Sequence, residues 1–172
     1  MLEDGDLSVV SDTKTIGLKS CEGEIFTVSF RVATMSNTIK NMIEDLNLED
    51  GIIEEVPLKN ISSHTLKKII EYCEYHVDDD PDDQDWEFST PTTVSDWDSK
   101  LIGTDQEEIF ALILAANFLD IPSLLDVGCK TVANMIKGKE PEEIRKIFNI
   151  ENDFTPEEEE EMRAEYAWLK DD

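Results

Sequence analysis

The chain has 172 residues, 40% of them hydrophobic, and carries a formal net charge of -26 at pH 7. This length suits one domain, or one domain with an appendage, and the apolar content is enough for a core, so a wholly disordered chain is excluded. The 41 acids against 15 bases argue against binding to nucleic acid or to an anionic membrane surface, because both need Lys and Arg to pair with phosphates.

The first 60 residues predict a small sheet and one short helix. Residues 1–14 are polar and acidic, and we expect them to be disordered. A β-hairpin is predicted over residues 15–30, with its turn at the Glu22-Gly23 pair. Apolar residues alternate along both of its strands: Ile16 and Leu18, then Phe26, Val28 and Phe30. Ser36 starts a helix, and residues 52–58 predict a third strand.

The middle of the chain predicts a helix followed by an acidic insertion. Ser62 or Ser63 caps the helix. An apolar stripe then follows at helical spacing: Leu66, Ile69, Ile70, Cys73 and Val77. The next stretch is crowded with acids and has almost nothing apolar among them, so about residues 78–96 are predicted to form a disordered insertion. Trp97 and Leu101 mark the place where the chain packs on the folded part again.

The apolar stretch that ends at Leu119 predicts the central helix of the core. It opens on Thr104-x-x-Glu107, the pattern of a capping box, in which each end satisfies the other's free donor. Apolar residues cover nearly the whole circumference, so we expect this helix to be buried on several sides. Asp120 is predicted to cap the following helix, which Gly138 ends.

The last helices carry an apolar series whose role the periodicity leaves open. One helix is predicted from Pro141 and another after the Thr155-Pro156 pair. The series consists of Val132, Met135, Ile136, Ile144, Ile147, Phe148, Ile150 and Trp168. Two interpretations stand. The series folds back onto the central helix, or it forms an open groove for an amphipathic segment of a partner, with Trp168 as an aromatic anchor.

An enzyme is one rival hypothesis, with Cys73, His76, His64 and Cys129 as the candidate catalytic residues. His76 follows Cys73 by three residues, so the two could meet on one helix face. However, Cys73 lies on the apolar stripe, and no third group orients the histidine as a nucleophilic site requires. No Cys/His cluster has the spacing of metal ligands, and no glycine-rich loop could hold a phosphate. Catalysis, a metal site and a cofactor are therefore not expected.

An acidic chaperone of basic proteins is a second rival. The acidic run of residues 78–87 and the glutamates of residues 157–161 fit it loosely, although solvated charge explains them without it. High salt should weaken such a chaperone's binding sharply, whereas binding through an apolar groove should persist.

The cysteines and the hydropathy pattern bear on the compartment. Three cysteines is an odd number, and each lies in an apolar setting, so a reducing compartment fits better than a disulfide framework. Residues 1–12 lack the basic and apolar regions of a signal peptide. No apolar run approaches the roughly 18 to 20 residues that span a bilayer.

Three segments carry a further signal. They read KSCEGEIFTV, VPLKNISSHTLKKIIEYCEYH and IFALILAANFLDIPSLLDVGCKTVANMIKGKEPEEIRKIFNIENDFTPEEEEEMRAEYAW. In order and spacing, over about residues 15–168, the chain resembles the Skp family, the S-phase kinase-associated adaptors of SCF ubiquitin ligases. An acidic insertion at the place of residues 78–96 is also typical of that family.

The resemblance implies an α/β fold of the BTB/POZ type, with a small three-stranded sheet and helices, over residues 15–121. C-terminal helices over residues 122–168 extend it, and a tail of residues 169–172 follows. The implied function is that of an adaptor subunit of an SCF-type E3 ubiquitin ligase, without catalysis or a cofactor. Such an adaptor links a cullin to F-box substrate receptors for ubiquitin-dependent degradation. Cytoplasmic and nuclear localisation is implied as well, and a weak homodimer in the absence of an F-box protein.

The resemblance also transfers site residues. Asn117 and Phe118 match an Asn-Tyr pair implicated in cullin contact, and Phe118 departs from it by lacking the phenolic hydroxyl. A second set matches positions that pack on F-boxes: Cys129, Val132, Met135, Ile136, Ile144, Ile147, Phe148, Ile150 and Trp168. Elongin-C-like adaptors lack the helices after the central one, so residues 123–168 argue against them. A divergent BTB-type adaptor that has lost one partner stays an alternative.

Overall fold

The computed structural model describes residues 14–45, 55–79 and 93–165. The chain divides into two compact units, with the division between Met135 and Ile136. The predicted disordered residues 1–13 lie outside the described ranges, as does most of the predicted acidic insertion.

The sheet of the first unit has three strands, as predicted. Strands β1 (Thr15–Lys19) and β2 (Ile25–Ser29) form the antiparallel hairpin, and β3 (Glu55–Pro57) pairs in parallel with β1, which gives the order β2-β1-β3. Gly23 closes the hairpin turn at φ +88°, a conformation that favours glycine, and its N–H donates to the Ser20 carbonyl at 3.0 Å.

The prediction that the second strand reaches Phe30 is wrong. Ser29 is the N-cap of a short helix, α1 (Phe30–Ala33), and its hydroxyl accepts from the Val32 N–H at 3.4 Å. A serine that satisfies a free helix donor favours the turn of helix over continued strand. Phe30 is therefore the first residue of α1 rather than the last residue of the strand.

The helices of the first unit carry most of its core. Besides α1, they are α2 (Asn37–Asp45), α3 (Ser63–His76), α4 (Asp96–Ile102), α5 (Gln106–Leu119) and α6 (Pro122–Ile136), whose last residue falls in the second unit. The predicted caps Ser36 and Ser62 are confirmed: Ser36 accepts from the Ile39 N–H at 3.1 Å, and Ser62 from the Thr65 N–H at 3.2 Å.

Both predicted caps at the ends of the central helix α5 are wrong. Its N-cap is Asp105 rather than Thr104, and the Asp105 carboxylate accepts from the Glu108 N–H at 3.1 Å. Asp120 does not cap α6. It ends α5 in the left-handed conformation at φ 51°, where its N–H donates to the carbonyls of the last turn. Pro122 then begins α6, because a residue without an N–H loses nothing at the first helical position.

The acidic insertion is bounded more narrowly than predicted. Asp78 pairs with Arg31 at 2.8 Å, and Asp79 hydrogen-bonds His76. At the other end Asp96 already lies in α4, a helix that the sequence reading did not predict. Its residues Trp97 and Leu101 pack against the core as expected, and Ile102 is fully buried. The predicted disorder of residues 80–92 lies outside the described ranges.

The core of the first unit centres on α5, which contacts α2, α3 and α4. It contributes Ile109, Leu112, Ala115, Ala116 and Leu119 to the buried cluster. On α3 the predicted stripe is buried at Leu66, Ile69 and Cys73, and Tyr72 is buried beside them although the prediction omitted it.

Up to residue 165, where the described part of the chain ends, the second unit contains two helices that lie wholly within it, α7 (Pro141–Ile147) and α8 (Pro156–Glu165). Both begin where the prolines predicted. At α7 the Glu140 N–H donates to the Glu143 carboxylate at 3.1 Å, and at α8 Thr155 and Glu158 exchange the two hydrogen bonds of a capping box. Gly138 lies just after the end of α6 at φ +71°, which confirms it as the stop.

Candidate protein-interaction surfaces

One side of α5 is apolar and exposed, although the helix is buried against α2, α3 and α4 on its other sides, as expected. Phe110, Leu114 and Phe118 lie at i, i+4 and i+8 and are 43%, 69% and 43% exposed. Residues at this spacing share one helix face. Asn117 is exposed beside them. We call Phe110, Leu114, Asn117 and Phe118 the α5 face. It contains both predicted cullin-binding residues.

The C-terminal end of the α5 face is held by the start of α2. The Thr38 hydroxyl donates to the Phe118 carbonyl at 2.9 Å, the Ser36 hydroxyl to the Leu119 carbonyl, and the Asn37 N–H to the Asp120 carbonyl at 3.1 Å. The last carbonyls of a helix have no partner within the helix. These three donors therefore fix the position of the turn that bears Asn117 and Phe118.

An ion pair holds the N-terminal end of the same helix. The Lys68 ammonium lies 2.7 Å from the Glu108 carboxylate and 3.3 Å from the Ile102 carbonyl, and the His64 Nε2 lies 3.2 Å from Glu108. The hydrogen bond and charge of Lys68 hold the pKa of the Glu108 carboxyl below its usual range. An acid in the first turn also suits the positive end of the helix dipole.

Three of the predicted F-box-binding residues lie on α6 within the first unit. Cys129 is exposed, whereas Val132 and Met135 are half-buried and pack against the core. Gly128 allows the α6 backbone to approach Ile113 of α5 closely, because a Cβ at position 128 would come 2.7 Å from Ile113 Cγ1. For these three residues the structure combines the two interpretations: Val132 and Met135 of the apolar series pack against the core, and Cys129 is open.

The other predicted F-box-binding residues belong to the second unit. Ile136 and Ile150 are 38% and 55% exposed, and Ile144, Ile147 and Phe148 are half-buried. Trp168 lies outside the described residues, so its role as an anchor stays a prediction.

The polar contacts within the second unit join its two helices. Arg163 on α8 lies 2.7 Å from Glu142 on α7, and Arg145 on α7 lies 3.6 Å from Glu159 on α8. The Arg163–Glu142 pair is exposed, and exposed pairs contribute only about 0.2–1 kcal/mol, so it orients the helices more than it stabilises them.

Phe154 is an exposed apolar residue that the sequence reading missed. It is 45% exposed, and the Arg145 guanidinium lies 5.5 Å from the centre of its ring. It precedes the Thr155 cap of α8, the position of a hydrophobic staple, and this local signal could have identified it.

The candidate catalytic residues do not form a nucleophilic site. Burial raises the pKa of the Cys73 thiol to about 12, so the reactive thiolate is not available near neutral pH. His76 hydrogen-bonds Asp79 and Asp98 rather than a thiol, and His64 pairs with Glu108. Within the three described ranges, no group of three or more His, Cys, Asp or Glu side chains is placed to hold a metal ion.

Two regions of the chain match domains of one protein family. Residues 14–78 match the tetramerisation domain of the Skp1 family, and residues 122–169 match its dimerisation domain. The E3 ubiquitin ligase complex SCF subunit sconC of Arthroderma otae is 53% identical over 163 residues, which cover 92% of this chain and 96% of that protein. The chain belongs to the Skp1 family.

Two further relatives show the same likeness. The subunit of that name from Talaromyces marneffei is 51% identical over 159 residues, covering 91% of this chain and 97% of that protein. That of Neosartorya fischeri is 53% identical, covering 91% and 99%. Membership confirms the predicted α/β fold of the BTB/POZ type with C-terminal helices. The first matched region contains the sheet and α1 to α3, and the second contains α6 to α8.

In the part of the chain that the structure describes, no helix is long and apolar enough to cross a membrane.

Proposed function

We propose that this protein is an adaptor subunit of an SCF-type E3 ubiquitin ligase, with one surface for a cullin and another for F-box proteins. The α5 face is the observation that carries the proposal. Residues 109–119 contain no charged side chain, in a chain of which 33% is charged. A solvated helix face usually carries charges, so an uncharged face that is also exposed is expected to be covered by a partner.

The cullin is the partner that we assign to the α5 face. Burying an exposed Leu or Phe completely contributes about 1.5–3 kcal/mol, so Leu114 and Phe118 together could supply much of the affinity. The amide of Asn117 adds a donor and an acceptor at the edge of the face. Phe118 keeps the apolar body of the family's tyrosine and loses only its hydroxyl, which preserves the larger contribution.

F-box proteins are the partners that we assign to the C-terminal apolar series. Cys129, Ile136 and Ile150 present exposed apolar surface, and Ile144, Ile147 and Phe148 are only half-buried. Burial of an amphipathic helix against such residues is a common mode of recognition. Without an F-box, the same residues could pair two copies of this chain, which supports a weak homodimer.

In the proposed role the protein contributes no catalytic group. An adaptor works by holding two partners close to each other, which raises the effective concentration of one at the other. Cytoplasmic and nuclear localisation is part of the proposal, since SCF substrates would be met in both compartments. A test is the distribution of the tagged chain between cell fractions, and exclusive recovery from a membrane or secreted fraction would contradict it.

The two surfaces can be separated by mutation. Binding to a purified F-box segment and to a purified cullin N-terminal region would be measured by titration calorimetry. Leu114→Asp, and Asn117→Ala with Phe118→Ala, should lose the cullin and keep the F-box. Ile136→Asp and Phe148→Asp should lose the F-box and keep the cullin. Lys137→Ala is the matched control for Ile136→Asp, because it makes the same change in net charge beside it on an exposed position.

Each outcome distinguishes the proposal from a rival. Equal loss of both partners in any of these four variants would show that the surfaces are not separate. Failure of the unmodified protein to bind one partner would favour a divergent adaptor that has lost it. Binding that falls steeply as salt rises would favour the acidic chaperone, since apolar contacts are not screened.

A further inference from the structure

His76, the last residue of α3, bridges two carboxylates that belong to different parts of the fold. Its Nδ1 shares a hydrogen bond with Asp79, three residues further along the chain. Its Nε2 lies 2.9 Å from an oxygen of Asp98 in the first turn of α4, which is 22 residues away in sequence. The imidazole therefore links the end of α3 to the start of α4.

Asp98 is an anchored partner rather than a mobile surface acid. Only 5% of the residue is exposed. Its second carboxylate oxygen accepts from the Ser95 hydroxyl at 2.8 Å, and Ser95 also caps α4 by accepting from the Asp98 N–H at 3.0 Å. A buried carboxylate is costly unless its hydrogen bonds are made, so the donor on His76 matters to the docking of α4.

Aromatic packing surrounds the same bridge. Trp97 of α4 stacks on Tyr75 of α3, with ring centres 3.8 Å apart and planes 9° from parallel. The His76 ring lies 5.8 Å from Trp97, edge to face, and 4.4 Å from Tyr72. Movement of the start of α4 away from α3 would separate the Tyr75–Trp97 stack and the His76–Asp98 hydrogen bond together.

The two hydrogen bonds of His76 require its charged form. A neutral imidazole has one N–H, whereas an imidazolium has two. With carboxylates at both ring nitrogens, only the imidazolium can donate to each of them. Loss of the proton leaves one carboxylate facing a nitrogen lone pair.

The surrounding charges favour that form. Burial lowers the pKa of His76, but the hydrogen bonds and charges of Asp79 and Asp98 outweigh it and leave the pKa above its usual value. Arg31 on the adjacent α1 donates to Asp78 and to the Val77 carbonyl, and not to the two carboxylates that His76 bridges. Burial raises the pKa of the neighbouring Tyr72 to about 12, so that phenol stays neutral.

We propose that His76 is a proton-dependent latch: its imidazolium ties α4 to the end of α3, and loss of the proton loosens the docking of α4. Loss of the proton removes the positive charge that faces the buried Asp98 carboxylate of α4, whereas Asp79 is an exposed partner. The folded protein binds this proton more tightly than the unfolded chain, whose His has its ordinary pKa near 6.5. The stabilisation is therefore complete below about pH 6.5 and is lost as pH rises through the pKa of folded His76.

Two measurements test the latch in the full chain. The protein has two histidines, so nuclear magnetic resonance of the imidazole protons can follow His76 and His64 separately. We expect the pKa of His76 to lie above the ordinary histidine value near 6.5, and to fall in Asp79→Asn, which removes one of the charges that raise it. Hydrogen exchange of α4 amides, corrected for intrinsic rates, should show an opening constant that rises about tenfold for each unit by which the folded pKa exceeds the unfolded one.

His76→Gln is the variant without a titrating ring, and its α4 opening constant should not change over the same pH range. His64→Gln is the matched control, because His64 is the other histidine and pairs with Glu108 instead; α4 should still respond to pH in it. A His76 pKa at or below about 6.5, the ordinary histidine value, would overturn the proposal. So would an α4 response to pH that is the same in the unmodified protein and in His76→Gln. If His76→Gln does not fold, Asp79→Asn provides the comparison, since it removes an exposed partner and leaves Asp98 paired.

Discussion

The hydroxyl of Thr38 donates to the carbonyl of Phe118 at 2.9 Å, across 80 residues of sequence. This bond joins the first turn of α2 to the last turn of α5, where the α5 face ends. It shows that the position of Phe118 depends on a residue that does not belong to the surface itself.

Removal of that donor should loosen the end of α5. We expect Thr38→Val to lower the free energy of unfolding by about 0.5–1.5 kcal/mol, because the Phe118 carbonyl loses its partner and the substituted side chain keeps its shape. Chemical denaturation measures this loss. Thr38→Ser keeps the hydroxyl and is the control. Cullin binding that weakens in Thr38→Val but not in Thr38→Ser would connect the bond to the surface, and equal stability of the two variants would contradict the prediction.

Gly128 should resist replacement by alanine. The added Cβ would lie 2.7 Å from Ile113 Cγ1, closer than unbonded carbons approach, and such overpacking costs about 1–3 kcal/mol. Alanine gains about 1 kcal/mol in helix propensity, so the net change in unfolding free energy should be a loss of about 1 kcal/mol.

A double-mutant cycle checks the cause of that loss. Ile113→Ala removes the atom that would clash, so Gly128→Ala should cost less in its background than alone. Additive losses would mean that the clash is not the reason.

Asp120 should tolerate glycine or asparagine but not valine. Its φ of 51° lies in the left-handed region, which costs an ordinary L-residue about 1–2 kcal/mol and a β-branched one more. Thermal or chemical unfolding should therefore rank Asp120→Val as the least stable of the three variants. A valine variant as stable as the glycine variant would contradict the positive φ.

The three cysteines should differ in reactivity. Cys21 and Cys129 are exposed and should react with a thiol reagent in the folded protein. Cys73 is buried, with its pKa raised to about 12 mainly by burial, and should react only after denaturation. Addition of an F-box segment should protect Cys129 and leave Cys21 reactive, with Cys21→Ser and Cys129→Ser assigning each signal. Equal protection of both, or of neither, would argue against Cys129 as an F-box contact.

Much of this fold is readable in the sequence because it is held by contacts between neighbours in the chain. The hairpin at Gly23, the cap at Ser62 and the Thr155–Glu158 capping box are hydrogen bonds between residues at most four apart, so residue type and spacing suffice to predict them. The resemblance to the Skp family is likewise carried by runs of consecutive residues, and the matches to two domains of the Skp1 family confirm it.

The two wrong cap predictions fell at positions where two local conformations were both compatible with the sequence. Thr104 and Asp105 both have side chains that can cap a helix, and the sequence does not say which of them takes the extended conformation that places its oxygen over the free N–H groups. Asp120 could end one helix or begin the next, and the left-handed backbone decided for the end of α5.

The surfaces required the tertiary structure. Apolar residues cover nearly the whole circumference of α5, so its sequence does not show which side is buried. The packing of α2, α3 and α4 against the helix determines that Leu112 is buried while Leu114 is exposed. The His76–Asp98 bridge could not be foreseen either, because its partners are separated by a long acidic stretch with no pattern that brings its ends together. The sequence by itself determined the three strands, most of the helices and the family, since these follow from short-range spacing, but it did not predict α1 or α4. The exposed face and the buried charge pair were decided by contacts between elements distant in the chain.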